Sequence, residues 1–386
     1  MSSINIETLR SILTRSYQGR RILLTGHSGF VGGWLGAVLA DGGAEVTGLS
    51  LPPSTENPSE PAPWTELERA ISGDIRDLDL VTSVVRESRP EIIFHLAAQA
   101  LVLPSYADPI STFATNVMGT AHVLEAIRLT DSVRACVVIT SDKCYATSTG
   151  AHVEDDPLGG DDPYSASKGA TEIVAHAYRS SFFSDGHAGV ATARAGNIVG
   201  GGDWAEDRII PDCVRAIAAN RPIELRHPEA TRPWQHVLDA VAGYLRLGDA
   251  LLSDPLGTSD AWNFGPPETS AATVADVVEQ LHEKWRAISP VVVPSPVLTA
   301  STTPPERTFL ALDSSKARTR LGWSPLLDFA STMSWTARWY HNAISGHEGV
   351  LMTKTQINDY LSLDVASTAR GEQAQSELRM EVANHE

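Results

Sequence analysis

Ser141, Asp142 and Lys143 stand side by side, and Tyr164 and Lys168 follow within "DPYSASKGATE". Tyr164 and Lys168 are four residues apart on a stretch that reads as helix, so they share one face. A lysine ammonium beside a phenol lowers the phenol pKa from its usual value of about 10, and a phenolate then forms nearer neutral pH. Ser141, at the end of an apolar strand, is placed to hydrogen-bond the same substrate hydroxyl. Together a serine, a tyrosine and a lysine draw the proton from an alcohol while a hydride leaves for a nicotinamide. Simple oxidation has no use for the neighbouring Asp142–Lys143 pair. From residue type alone, the two charges either do further acid–base work or pair with each other in a loop.

Nicotinamide chemistry needs a dinucleotide site, and "TGHSGFVG" offers one. Gly26, Gly29 and Gly32 lie between an apolar strand at Arg21–Thr25 and a stretch in which Trp34, Leu35, Val38 and Leu39 recur with helical period. Glycines there allow a tight turn and close approach of a pyrophosphate to the helix N-terminus. The acid that usually binds the adenosine ribose should close the second strand. Here that strand, Glu45 to Leu51, runs into "LSLPP" with neither acid nor arginine, and the missing arginine leans toward NAD over NADP. "GDIRD" offers Asp74 and Ile75 as adenine contacts, with Asp74 alternatively a helix cap.

The surrounding elements alternate. Helix is expected around Leu78–Glu87, Pro109–Leu129 and Pro163–Phe183, with strands at "EIIFHLAA" and "ACVVIT". This alternation predicts an α/β fold, a Rossmann-type doubly wound parallel sheet. Residues 18–195 are expected to form the dinucleotide-binding domain, with returning elements at about 233–265. Residues 196–232 and 266–362 would form a smaller, interleaved substrate lobe. "TTPPERTFLALDSSKARTRLGW" reads as a strand and a short helix, and residues 363–386 as a loose polar tail.

With 386 residues, 42% hydrophobic and 20% charged, the composition is that of a globular enzyme. A formal net charge of −17 argues against nucleic-acid and membrane-surface partners. Three cysteines without metal-like spacing read as reduced thiols of a cytoplasmic protein. No run of 18 apolar residues and no signal-peptide core is visible. None of the twelve histidines has metal-site spacing, so no metal is expected. Trp234 and His236 read as packing residues.

These stretches, with "TSDKCY", "TNVMGTAHVLEA", "ARAGNIVGGGDWAEDRIIPD", "ATRPWQHVL" and "WNFGP", resemble the extended short-chain dehydrogenase/reductase superfamily, and within it the CDP-glucose 4,6-dehydratase family. The likeness covers roughly residues 18–360. It implies an NAD-dependent lyase acting on a nucleotide sugar, and a homodimer. Ser141, Tyr164 and Lys168 would oxidise C4 of the sugar, Asp142 would be the acid for the departing hydroxyl, and Lys143 the base at C5. The hydride would then return to C6. By the same resemblance, Gly26, Ser28, Gly29, Phe30, Val31, Gly32, Asp74, Ile75, Leu96, Ala97, Ala98, Gln99, Asn116, Tyr164 and Lys168 would contact NAD. Leu103, Ser141, Asn197, Arg208 and Arg232 would contact substrate, the arginines through its diphosphate.

The chain departs from that family at Val31 and Leu103, where a lysine and an arginine are usual, in the polar segment "ATSTGAHVEDD", and in the prolines after the second strand. Two of these changes remove cations from the ligand cleft. They leave room for a divergent dehydratase of a nucleoside or other less phosphorylated sugar in natural-product (antibiotic) biosynthesis. An NAD-dependent sugar epimerase or reductase is the other alternative, against which the Asp142–Lys143 pair counts.

Overall fold

Short β-branched and leucine-rich runs separated by amphipathic stretches bury best as a parallel sheet covered on both faces. The computed structural model describes residues 7–52, 67, 69–147, 150–267, 271–291, 293–299 and 309–383, with side chains described to residue 370. Its main sheet has seven parallel strands: β1 (Arg21–Thr25), β2 (Glu45–Ser50), β3 (Arg69–Ser72), β4 (Ile92–His95), β5 (Ala135–Ile139), β6 (Gly189–Ala195) and β7 (Ala261–Phe264). They are ordered β3-β2-β1-β4-β5-β6-β7. Alternate side chains serve opposite faces, as strand pleating requires. Ile22, Leu24, Ile92, Phe94 and Val137 join one core cluster. Leu23, Ile93, Cys136 and Val138 join the other.

The first cluster is covered by α1 (Phe30–Asp41), the second by α2 (Leu78–Ser88) and α3 (Gly119–Arg128), with α4 (Pro163–Phe182) beside them. The helix expected over Pro109–Leu129 is present as one continuous run with a π-type segment inside it. It runs Pro109–Phe113, then a wider π-type turn at Ala114–Met118, then α3. β2 closes at Ser50 rather than at the prolines. Because strand order reverses between β1 and β4, the loops after those two strands part and open a crevice at the carboxyl edge of the sheet.

Beyond β6 the chain leaves the sheet and returns through α5 (Val237–Ser253), which packs against β5 and β6, and then through β7. The excursion is tied back: Trp34 Nε1 of α1 donates to the Gly201 carbonyl at 2.8 Å. From α6 (Phe329–Ile344), the Tyr340 hydroxyl donates to the Asp203 carbonyl. Of the expected late strand, residues 302–308 lie outside the described residues. Phe309 and Leu312 make only isolated bridges, with Thr231 and His152, and the short helix is Ser315–Leu321.

The expected loose tail is instead helix α7 (Gly349–Ala383). Its middle is fastened by a group that sequence polarity hides. Buried Asp364 accepts the Leu9 backbone N–H at 2.5 Å and pairs with Arg246 of α5 at 3.3 Å.

Candidate active site

β1 delivers the glycine loop to the crevice. Gly26 has φ +75°, and a Cβ there would sit 2.7 Å from the Ala97 amide nitrogen after β4. On Gly32, a Cβ would stand 2.1 Å from the Gly26 carbonyl oxygen. The loop therefore closes only without side chains at these two points. Gly29 is the N-cap of α1 and offers no side-chain acceptor, so the helix N-terminus keeps its anion-attracting field. Such a bare helix end cradled by glycine fits a dinucleotide pyrophosphate. Val31 packs partly against the core.

Several expected cofactor contacts have other employment here. Ile75 is buried and its Cδ1 would lie 2.5 Å from a Cβ on Gly119. Asp74 does not cap α2: Asp77 does, while the Asp74 carboxylate grips Arg76, which holds it below the usual range. Asn116 turns its amide inward, accepting from the Gln99 N–H at 2.8 Å and donating to the Gln99 carbonyl and to Ser167 Oγ at 3.0 and 2.8 Å. The Gln99 side chain folds onto Leu101 and Thr112. Asn116 fastens the loop after β4 to α4, the Gln99 side chain braces the same loop against Thr112, and Leu96, Ala97 and Ala98 travel with it. Ser28 and Phe30 stay at the crevice, Phe30 near Gly200.

Ser141, just past the end of β5, lies near enough to Tyr164 of α4 to oppose the rise of its phenol pKa, while its own Oγ donates to Asp142 at 3.1 Å. The expected lowering of the phenol pKa by Lys168 is not found. Burial pushes the Tyr164 phenol up to about 12, opposed chiefly by Ser141 and the Arg208 charge. Lys168 Nζ donates instead to the Ile139 carbonyl at 3.1 Å. Burial lowers its pKa to about 8, against the opposing pull of Glu172 and Cys144. Helical spacing put the two on one face but could not say that the lysine would turn to a strand end.

Asp142 is 3% exposed. Its Oδ1 accepts from Ser141 Oγ at 3.1 Å, and its Oδ2 has no hydrogen-bond partner. Burial raises its pKa, tempered by Lys143, Ser141 and Arg232. A carboxyl so placed holds its proton further toward neutral pH and has a free oxygen from which to give it. Arg232 is buried, donates to the Thr231 carbonyl at 3.0 Å and bears on Asp142. Arg208 is anchored by Asp203 at 2.9 Å. The Arg232 charge thus acts on Asp142 and the Arg208 charge on Tyr164. Asn197 lends its carbonyl to the Gln235 N–H, and Leu103 is half-buried on a short helix, Val102–Ala107. Trp234 and His236 are buried: Trp234 Nε1 donates to the Ala272 carbonyl, and His236 Nδ1 caps α5. Among the described residues no group of His, Cys, Asp or Glu is arranged to hold a metal ion.

Sequence reasoning passed over the residues behind the site. His95, neutral because burial drops it to about 3, bridges Thr25 Oγ1 and Thr120 Oγ1 at 2.7 and 3.0 Å. Glu172 and Arg194 form a buried pair beneath the Ser141–Lys143 turn. Glu172 follows Lys168 at the same spacing that singled out Tyr164 and Lys168, which was the one available signal.

A glycine loop after β1 and a Ser–Tyr–Lys set across the same edge of a doubly wound sheet define the class: a short-chain dehydrogenase/reductase of the extended type. Within that class the chain belongs to the GDP-mannose 4,6-dehydratase family, whose model matches residues 23–336. It is 40% identical to the CDP-glucose 4,6-dehydratase of Salmonella typhimurium over 90% of this chain and 97% of that protein. A dTDP-glucose 4,6-dehydratase of Streptomyces niveus is 28% identical, with 83% and 93% covered. Among solved structures, DesIV of Streptomyces venezuelae, a dTDP-glucose 4,6-dehydratase with NAD and TYD bound, matches with TM-score 0.71 and 25% identity. That alignment covers 86% of this chain and 99% of DesIV.

Proposed function

We propose that this protein is an NAD-dependent 4,6-dehydratase of a nucleotide sugar, with CDP-glucose as substrate. The observation that carries this reading is Asp142: buried, raised in pKa, and presenting an unpartnered oxygen beside Ser141. An epimerase or reductase has no hydroxyl to expel and no need of such a donor. The likeness to the Salmonella enzyme supports the choice of sugar nucleotide.

Tyr164 takes the C4 hydroxyl proton while Ser141 hydrogen-bonds the same oxygen. NAD, when bound, supplies the acceptor that keeps the C4 hydride until it goes to C6, and a positive charge that favours the phenolate. The C4 ketone acidifies the C5 hydrogen. Lys143 removes that proton as Asp142 protonates the C6 hydroxyl, and water leaves. Hydride then adds at C6, and Lys143 returns its proton to C5. The proton Tyr164 took has a path through Ser141 to Asp142, which resets both groups and closes the balance at one water lost. Arg208 and Arg232 bind the diphosphate; residues 196–232 and 266–362 act as the substrate lobe.

Val31 and Leu103 favour a second reading, in which a less charged sugar or nucleoside occupies the cleft. One experiment separates the two: purified protein is offered CDP-glucose, other sugar nucleotides and free nucleosides, and products are identified by mass and NMR. Efficient conversion of CDP-glucose to a 4-keto-6-deoxy sugar without net NAD consumption is expected. Turnover of an uncharged nucleoside alone would replace the first reading with the second, and stoichiometric NAD consumption would remove both. We assign the protein a homodimer built on the faces of Pro109–Phe113, the following π-type turn and α4. There Ile110, Met118 and Ile173 are 77%, 52% and 60% exposed. Cytoplasmic location and a role in antibiotic biosynthesis remain part of this proposal. Among the described residues no helix is long and apolar enough to cross a membrane.

A further inference from the structure

One turn beyond Lys168 on α4, Glu172 is 1% exposed. Its carboxylate collects three donors: Thr140 Oγ1, Thr192 Oγ1 at 2.7 Å, and an Arg194 guanidinium nitrogen at 2.8 Å. Thr140 immediately precedes Ser141. Arg194 reaches the other end of the same segment, donating to the Tyr145 hydroxyl at 2.8 Å, and its guanidinium carbon lies 4.9 Å from the centre of the Tyr145 ring. The Tyr145 hydroxyl in turn donates to Asn263 of β7 at 2.7 Å. Lys168 holds the Ile139 carbonyl, one residue before Thr140. The three-residue turn that carries Ser141, Asp142 and Lys143 is therefore gripped at both ends by one buried ion pair.

From this geometry we infer that Glu172 is a positioning residue for the dehydration: with Arg194 it sets the Ser141–Lys143 turn against α4 and directs a buried negative charge at Lys168. The inference rests on the reading above that these residues carry the reaction. Its electrostatics agree. Burial alone would raise the Glu172 carboxyl, but Arg194 and the two threonines hold it below the usual range, so it stays ionised. Glu172 is then the leading contribution that opposes the burial-driven drop of Lys168, ahead of Cys144. The other titratable groups around Lys168 are Tyr164 on the same helix, His95 on β4, which feels the lysine charge and stays neutral, and Arg194 on β6 beyond Glu172.

The test compares wild type, Glu172→Gln and the double variant Glu172→Gln/Arg194→Met, the last removing both buried charges so that neither is left alone. Two readings are taken: the titration midpoint of Lys168 by NMR of lysine labelled at Cε, and the pH profile of kcat and KM for CDP-glucose. In Glu172→Gln the Lys168 midpoint should fall by about one unit, since loss of the attracting charge favours the neutral amine. The alkaline limb of the rate profile should move the same way. kcat should drop about tenfold, with KM held within about threefold. The double variant should show a smaller shift of the same sign. Folded variants with the wild-type midpoint and profile overturn the inference. So does a double variant that fails to fold, because the pair would then hold the chain together rather than place the turn. The NMR midpoint is read without turnover, so it stands even if CDP-glucose proves not to be the substrate.

Discussion

Gly32 lies so close beneath Gly26 that a Cβ on it would stand 2.1 Å from the Gly26 carbonyl oxygen. At Gly29, by contrast, φ is −78° and a Cβ would meet the same oxygen at 3.3 Å. The two glycines thus separate folding from binding. Gly29→Asp should fold, since aspartate is a favoured N-cap and accepts from the first-turn N–H groups. It would put a carboxylate where the pyrophosphate belongs. Calorimetry should show NAD affinity reduced more than about tenfold, about 1.4 kcal/mol, with an unchanged or higher Tm. Normal affinity would move the pyrophosphate elsewhere.

Tyr164 is the assigned base for the C4 proton. Tyr164→Phe keeps the ring and its packing but loses the hydroxyl that would take the proton. Turnover should fall by about 100-fold or more, the scale of a lost general base. NAD affinity should be little changed. Near-normal rates in the variant would assign the proton to another group.

Asp142→Asn keeps shape and polarity but has no proton to give. Oxidation at C4 should survive and elimination should fail, so the absorbance of reduced nicotinamide persists on the variant while no 6-deoxy product forms. In wild type, deuterium placed at C4 should appear at C6. A product that retains every hydroxyl, or a label lost to solvent, would make Asp142 and Lys143 a structural pair.

Asp239 on α5 makes a pH prediction for stability. Its Oδ1 accepts from the Leu326 N–H at 2.7 Å and the Tyr360 hydroxyl at 2.8 Å, joining α5 to the loop before α6 and to α7. Oδ2 has no partner, and burial raises the carboxyl from 3.8 to about 7. The folded state therefore holds a proton that the unfolded chain releases between those values, and stability contributed by this group falls as pH rises from near 4 to near 7. Asp239→Asn should flatten that part of the profile and raise Tm at pH 8 relative to wild type in thermal denaturation. An unchanged slope would mean that Asp239 is ionised throughout.

The elements that carry the site were legible in the chain because they are local. The apolar run Arg21–Thr25, the glycines after it, and the Tyr164–Lys168 spacing on α4 each follow from period and backbone freedom over a few residues. The loose tail failed for the opposite reason, and the π-type turn inside the helix over Pro109–Leu129 stayed hidden for it too. Asp364 becomes a buried anchor only once Arg246 and Leu9 are beside it, and the π-type turn lies where Asn116 turns inward to Gln99 and Ser167. Ionisation was likewise beyond the sequence. Whether Tyr164 sits high, Lys168 low, or Asp142 keeps its proton depends on how much water packing removes and which distant charges it brings near: Arg208, Arg232 and Glu172. The sequence by itself determined which groups can do chemistry and which strand or helix presents them. Only the tertiary structure decided their protonation and partners, because burial and long-range Coulomb interaction belong to the folded arrangement and not to any short stretch of chain.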